Sequence, residues 1–209
     1  MAEINTAVVS ARDVQRLRQA ASVGMMDAKA ALTEADGDFD RAFEILRERG
    51  LAASAKRADR TATEGAVGSY LHRQAGRVTI GAMVELAAET DFVAKSDEFI
   101  TAADEIAKHV SWANPTWLRA EDVPEDRLDE ERRFATVQAE NEGKPEHVVP
   151  RIVEGKIQQF LRQNVLYEQE FVNPAVFEGS VGEMVTQLGT RMGENISVTR
   201  IARLAVGER

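Results

Sequence analysis

The sequence predicts an α+β fold. Apolar residues recur at helical spacing through the first 50 positions, and the period then changes to two between Val78 and Leu86. Strand-like alternation returns near the end of the chain after a long helical middle. A hairpin and a distant third strand therefore make a small three-stranded antiparallel sheet, with helices before, beside and beyond it.

Ser10 followed by Asp13 resembles a capping box and opens a helix with Val14, Leu17 and Ala21 on one face. Gly24 breaks it. Met25 to Ala35 reads as a second helix with Ala28, Ala31 and Leu32 inward, closed by the Asp36-Gly37 turn. Asp38 caps a third, in which Phe39, Ala42, Phe43 and Leu46 fall at i, i+3, i+4 and i+7 and Gly50 supplies a left-handed stop. Residues 1–50 thus form a three-helix module. Residues 51–65 carry small and charged side chains without a sustained apolar face and read as a linker.

In the domain that follows, 66–209, Val78, Ile80, Ala82, Val84 and Leu86 line one strand face. Ala66 to His72 pairs with it through the Gln74-Ala75-Gly76 turn. From Ser96 the helical period returns, with Phe99, Ile100, Ala103, Ile106, Ala107 and Val110 on one stripe, and Asn114-Pro115 ends it. After the acidic stretch Glu121 to Glu131, two helices, Pro124 to Asn141 and Pro145 to Glu168, are joined at Glu142-Gly143-Lys144-Pro145. They make a protruding, coiled-coil-like helical hairpin over 124–168. Ser180 and Glu183 cap a helix carrying Val185, Leu188 and Met192, with Gly193 as its stop. Ile196, Val198, Ala202, Leu204 and Val206 then alternate as the last strand.

Composition excludes several functions. The 209 residues carry a formal charge of −9, which argues against direct nucleic-acid binding, since phosphate contacts need Lys and Arg. Cysteine is absent, removing disulfides, thiolate metal sites and cysteine nucleophiles. The longest apolar stretch, Ile80 to Ala88, is broken by Glu85 and is far short of a membrane span. The start Met-Ala-Glu-Ile-Asn-Thr lacks the character of a signal peptide, so a cytoplasmic protein is expected. No phosphate-cradling loop, dinucleotide fingerprint, zinc-protease or nucleophile-elbow motif occurs, so neither an enzyme nor a cofactor is expected. Glu89 and Asp91 read as solvated acids. His72 falls at a strand end, His109 near a helix end where a cation suits the dipole, and His147 in the first turn after the hairpin loop, none implying a metal site.

Two segments stand out as binding candidates. In Gly24-Met25-Met26-Asp27, adjacent methionines at a bend cannot both face one core: either one is an exposed, adaptable contact residue or the pair is a loose core plug. Glu89-Thr90-Asp91-Phe92-Val93-Ala94-Lys95 lies between strand and helix, where neither periodicity demands a large aromatic. Either this is a functional loop on a rigid scaffold, or Thr90 or Asp91 caps a helix and Phe92 tucks into the core.

At these residues the chain resembles the elongation factor Ts family of bacterial type, the guanine-nucleotide exchange factors of elongation factor Tu. Leu17-Arg18, the run Gly24 to Ala35 and Gly37-Asp38 resemble the family's first signature, and Glu89 to Lys95 its second. Gly68-Ser69-Tyr70 with His72, Gly143-Lys144-Pro145, Val153 to Lys156 and Asn195 to Glu208 extend the likeness nearly end to end. Ala21-Ser22-Val23 departs from the family's usual Thr-Gly-containing bend, Ala87-Ala88 from its Asn-Cys, and Glu170 from a common proline.

The resemblance implies a ubiquitin-associated-like module over 1–50 and a core and dimerisation domain over 66–209. It implies that Thr90, Asp91, Phe92 and Val93 intrude into the G domain of elongation factor Tu, displace its Mg²⁺ and disturb its phosphate loop, promoting GDP release and GTP reloading. Arg18, Met25 and Met26 would contact the same G domain, and His72 another domain. The chain matches the short form, with one core subdomain, which implies a homodimer acting on a protein partner without membrane, cofactor or covalent chemistry. A rival reading is a helical adaptor whose three-helix module binds a ubiquitin-like or peptide partner; it has no use for the second signature.

Overall fold

A computed structural model describes residues 9–21 and 23–208. The first residues, read above for a signal peptide, and Ser22 of the bend lie outside the described residues. The chain divides into two compact units, one of residues up to Ala62 with Thr186–Ile196, the other of Thr63–Val185 with the residues from Ser197 on.

The first unit holds α1 (Ala11–Ala21), α2 (Met25–Glu34) and α3 (Phe39–Arg57). Ser10 opens α1 by accepting the Asp13 N–H at 3.1 Å and donating its hydroxyl to the Asp13 carboxylate at 2.6 Å. Asp38 caps α3 through the Arg41 N–H. Val14, Leu17, Ala28, Ala31, Leu32, Ala42 and Leu46 form one core, as their spacing predicts. Gly50 does not stop α3, which runs on to Arg57. A helical glycine costs only about 1 kcal/mol, and the following Leu51, Ala52, Ala53 and Ala55 are strong enough helix formers to continue the turn. Half of the expected linker is therefore helix. Asn195 fastens the chain after it, donating to the carbonyls of Ala58 and Arg60.

In the second unit, β1 (Glu64–Gln74), β2 (Arg77–Ala88) and β3 (Ser197–Ala205) form an antiparallel sheet in the order β1-β2-β3. Ala75 and Gly76, at φ 50° and 82°, make the two-residue turn whose twist suits a hairpin. One short turn, α4 (Asp91–Ala94), leads into α5 (Asp97–Ala113), whose backbone lies so close to β1 that a Cβ on Gly68 would stand 2.1 Å from the Ala103 carbonyl carbon. Asp104 accepts the Ser69 N–H of this edge strand at 2.8 Å. Val84, Leu86, Phe99, Ile106 and Val110 are fully buried, each contributing roughly 1.5–3 kcal/mol. Ile100, expected on the same stripe, is exposed, because it lies a third of a turn beyond Phe99.

Both strands expected to carry an unbroken apolar face are re-phased by bulges. Thr79 is extra in β2 and Thr199 in β3, since His72 pairs with Ile80 but Arg73 with Val78, and Leu86 pairs with Val198 but Glu85 with Arg200. Val198 is buried, whereas Ala202 and Leu204 turn outward, Leu204 being 81% exposed. Val78 is likewise exposed. A bulge is a tertiary adjustment that alternation alone does not reveal.

Beyond α5 stand α6 (Glu125–Asn141) and α7 (Val149–Asn164), the two arms of the hairpin, with Gly143 at φ 68° in the turn between them. The second arm is shorter than its spacing suggests: Pro145 to Val148 stay in the turn, Pro150 starts the helix, and Val165 is extended, bridging Trp117. Val123, Phe160 and Val165 pack with Trp117, Leu128 and Leu161. Four acids of α6 are ion-paired within the helix, Glu130 and Glu131 with Arg127, and Glu125 and Asp129 with Arg132. α8 (Val181–Met192) opens on the reciprocal Ser180–Glu183 bonds and is followed by Gly193 at φ 73°.

His109 is not the helix-end cation that its position near the end of α5 suggested. It is fully buried, its Nε2 2.9 Å from Gln169 Oε1, its Nδ1 accepting the Val172 N–H, and its ring stacked on Phe171. Burial lowers its pKa, with the Gln169 bond opposing in part, which suits the neutral imidazole that an accepting Nδ1 requires.

Candidate functional site

The segment between β2 and α5 is a turn that bonds mainly to itself. Thr90 Oγ1 accepts the Val93 N–H at 3.4 Å, capping α4. Ser96 Oγ donates to the Val93 carbonyl at 2.8 Å and accepts the Phe99 N–H, capping α5 in turn. Lys95 is joined to Asp91 twice, by its N–H to the Asp91 carbonyl at 3.1 Å and by Nζ to Oδ2 at 2.5 Å.

Val93 and Ala94 are buried, and successive helical residues diverge by about 100°, so anchoring Val93 inward turns Phe92 outward. Phe92 is 83% exposed, the most exposed of the large apolar side chains described. The two readings of this segment thus combine: Thr90 is a cap, yet Phe92 is not in the core. The hydrogen bond from Lys95, and then its charge, holds the Asp91 carboxyl below its ordinary pKa, so it is ionised at neutral pH, and the same pair raises Lys95. What results is a capped turn bearing an exposed aromatic ring beside an ion-paired carboxylate.

Arg18, Met25 and Met26 belong to the other unit. Both methionines are exposed, at 52% and 76%, so neither plugs the core; Ala28, Ala31 and Leu32 fill it instead. Gly24 caps α2 without a side-chain bond, and Arg18 is exposed on the last turn of α1. His72, half-buried on β1, has Nδ1 3.4 Å from the Tyr70 hydroxyl and meets Trp112 edge-on, ring centres 4.7 Å apart.

Three arrangements were not read from the sequence, although Lys95 was named in the second segment and Leu204 in the last strand. Trp112 is exposed at the end of α5, and its only signal was a position off the buried stripe. Lys95 follows Asp91 at i,i+4, the spacing of a helical ion pair. The outer sheet face carries Val67, Leu71, Met83 and Leu204, with Leu71, Gly81 and Leu204 in one cross-strand row. On the hairpin an open groove of about 370 Å³ runs beside Phe134, Ala135 and Phe160. Among the described residues no group of three or more His, Cys, Asp or Glu is placed to hold a metal ion.

Residues 48–208 match the family model described as "Elongation factor TS". The chain is 45% identical over 201 residues to an elongation factor Ts of Caldanaerobacter subterraneus subsp. tengcongensis, covering 96% of this chain and 98% of that one. It is 48% identical to an elongation factor Ts of Alkaliphilus oremlandii, with 96% and 90% covered. An elongation factor Ts of Thermosipho melanesiensis is 42% identical, with 96% and 100% covered.

Proposed function

This chain belongs to the elongation factor Ts family, the nucleotide exchange factors of elongation factor Tu in translation elongation, and from that premise we propose that Thr90, Asp91, Phe92 and Val93 are the residues that carry the exchange. The observation supporting this most is the exposure of Phe92 on a self-capped turn. A large aromatic presented on a capped turn is the kind of side chain that anchors an interface when a partner covers it. The G domain of elongation factor Tu is that partner in this reading, and GDP-bound and nucleotide-free forms are both engaged.

The Mg²⁺ and phosphate loop of a nucleotide-binding protein clamp the phosphates, so disturbing both weakens GDP strongly. Phe92 is the apolar anchor of the intruding tip, and Asp91 competes for polar partners near the metal. Val93 roots the tip in the core and Thr90 fixes its turn. Arg18, Met25 and Met26 contact the same G domain and orient the approach, and His72, with the rings around it, contacts a further domain. No bond is made or broken. By linkage, whatever factor this protein takes from GDP affinity, GDP takes from its own affinity for the partner. Its place is the cytoplasm, where translation proceeds; no helix among the described residues is long and apolar enough to cross a membrane.

Residues 1–50 act in this reading as a ubiquitin-associated-like contact module and 66–209 as the core. A second copy of the core is supplied by homodimerisation through the apolar outer face of the sheet. The exposure of Leu71, Met83 and Leu204 there supports that reading, and the β3 bulge that turns Ala202 and Leu204 outward enlarges the same face. Light scattering is expected to find a dimer for the native chain and a monomer for Leu204→Glu; a dimeric variant would locate the contact elsewhere. The exchange reading is tested by stopped-flow release of a fluorescent GDP analogue from bacterial elongation factor Tu. Release should accelerate with the native protein and much less with a folded Phe92→Ala, and equal acceleration by both would refute the assignment.

A further inference from the structure

We propose that Lys95 is a positioning residue for the exchange reaction, presenting Asp91 to the partner as one half of a fixed, charge-compensated pair; this rests on the reading of Thr90–Val93 as the exchange tip. The geometry is specific. Lys95 closes α4 with its backbone N–H on the Asp91 carbonyl and reaches back along the same face, Nζ to Oδ2 at 2.5 Å. Both side chains are mostly exposed, yet they lie on a turn whose other polar ends are tied off by Thr90 and Ser96.

Two physical consequences follow from this placement. Asp91 is the first residue of a four-residue helix, where its carboxylate has the backbone N–H groups of Asp91 and Phe92 as competing partners. The ammonium selects one rotamer and points the carboxylate along the turn beside Phe92. The second consequence is electrostatic. The chain carries a charge of −9, and its partner's site holds a nucleoside diphosphate. A bare carboxylate at the tip adds to that repulsion, whereas an Asp91–Lys95 pair enters as a compact dipole. The carboxylate is then set free for polar partners only where the partner's own cation or donors compete with Lys95.

The test measures stimulated GDP-analogue release from bacterial elongation factor Tu at increasing concentrations of the native protein, Lys95→Met, Lys95→Arg, Asp91→Asn and the double variant Asp91→Asn/Lys95→Met. Lys95→Met is expected to lose about threefold in the concentration-dependent rate, the scale of an exposed i,i+4 pair, and Lys95→Arg to regain most of it. The loss should shrink in about 0.5 M salt, where exposed charges are screened. A structural ion pair is screened in the same way, so the melting temperature of Lys95→Met is measured alongside and should stay native, which a purely structural defect would not allow. In the Asp91→Asn background, Lys95→Met should add little, because Lys95 acts through Asp91. Native behaviour of Lys95→Met, a gain in rate, or losses that multiply in the double variant would each overturn the proposal. Unchanged stimulation by both Asp91→Asn and Phe92→Ala would instead overturn the exchange-tip reading beneath it.

Discussion

The bend at Gly24–Met26 and the turn at Thr90–Lys95 both expose apolar side chains at the start of a helix, but they are built in opposite ways. The bend's helix begins at a glycine with no side-chain cap, and its exposed groups are two unbranched thioethers. The turn is closed by Thr90, Lys95 and Ser96, and its exposed group is one rigid ring beside a paired carboxylate. Methionine adapts to whatever surface it meets, whereas a flat, inflexible ring on a capped turn must be met by a pocket of its own shape. Exposure alone therefore does not rank two candidate contact sites; preorganisation does.

Substitutions at the two sites should separate them. Phe92→Ala removes the proposed anchor and should cost about 2 kcal/mol or more of partner engagement, a roughly 30-fold loss in stimulated GDP release with the melting temperature unchanged. A loss of only severalfold would put the ring on a par with the methionines. Thr90→Val keeps the shape but removes the cap, worth about 1 kcal/mol, and should slow release about fivefold or less while leaving the fold intact. Met25→Ala with Met26→Ala should raise the concentration needed for half-maximal stimulation about threefold without lowering the maximal rate, since adaptable contacts orient rather than insert. A drop in the maximal rate would show that the bend takes part in nucleotide displacement itself.

The weakest expected effect on exchange comes from acidification. The carboxyl of Asp91 has a lowered pKa and stays ionised through mildly acid conditions, so the tip is indifferent to pH there. His109 behaves otherwise. Its folded pKa is depressed below the ordinary 6.5, so the unfolded chain binds the extra proton first. Stability is full above about pH 6.5 and is lost as pH falls through the depressed folded value. Urea midpoints measured at about pH 8 and pH 5.5 should show this fall, and His109→Gln should flatten it; an equal fall in the variant would place the acid sensitivity elsewhere.

Features written into neighbouring residues were legible in the sequence. Ser10, Asp38, Ser96 and Ser180 each cap the helix their spacing announced, and the amphipathic stripe of the first three helices matches their core. Features settled by distant partners were not. Gly50 looked like a stop because a glycine's local signal is the same inside a helix as at its end. The outward turn of Leu204 depends on an extra residue two strands have to negotiate between them. His109 received a buried glutamine from 60 positions away. At the candidate site the residues were legible by resemblance, but whether Phe92 faced water was not, since a four-residue turn has no period to read.

The extra residue in β3 has a meaning for how this chain tolerates change in length. Because Thr199 stands outside the regular pairing, Val198 and Arg200 already occupy the positions they would hold in an uninterrupted strand. Deleting Thr199 would leave every later side chain on its present face, Ile201 and Arg203 toward the helix and Ala202 and Leu204 away from it. In most strands losing one residue exchanges inside for outside. Here the sheet holds one position in reserve, and a single-residue deletion at that point is a change the fold can absorb.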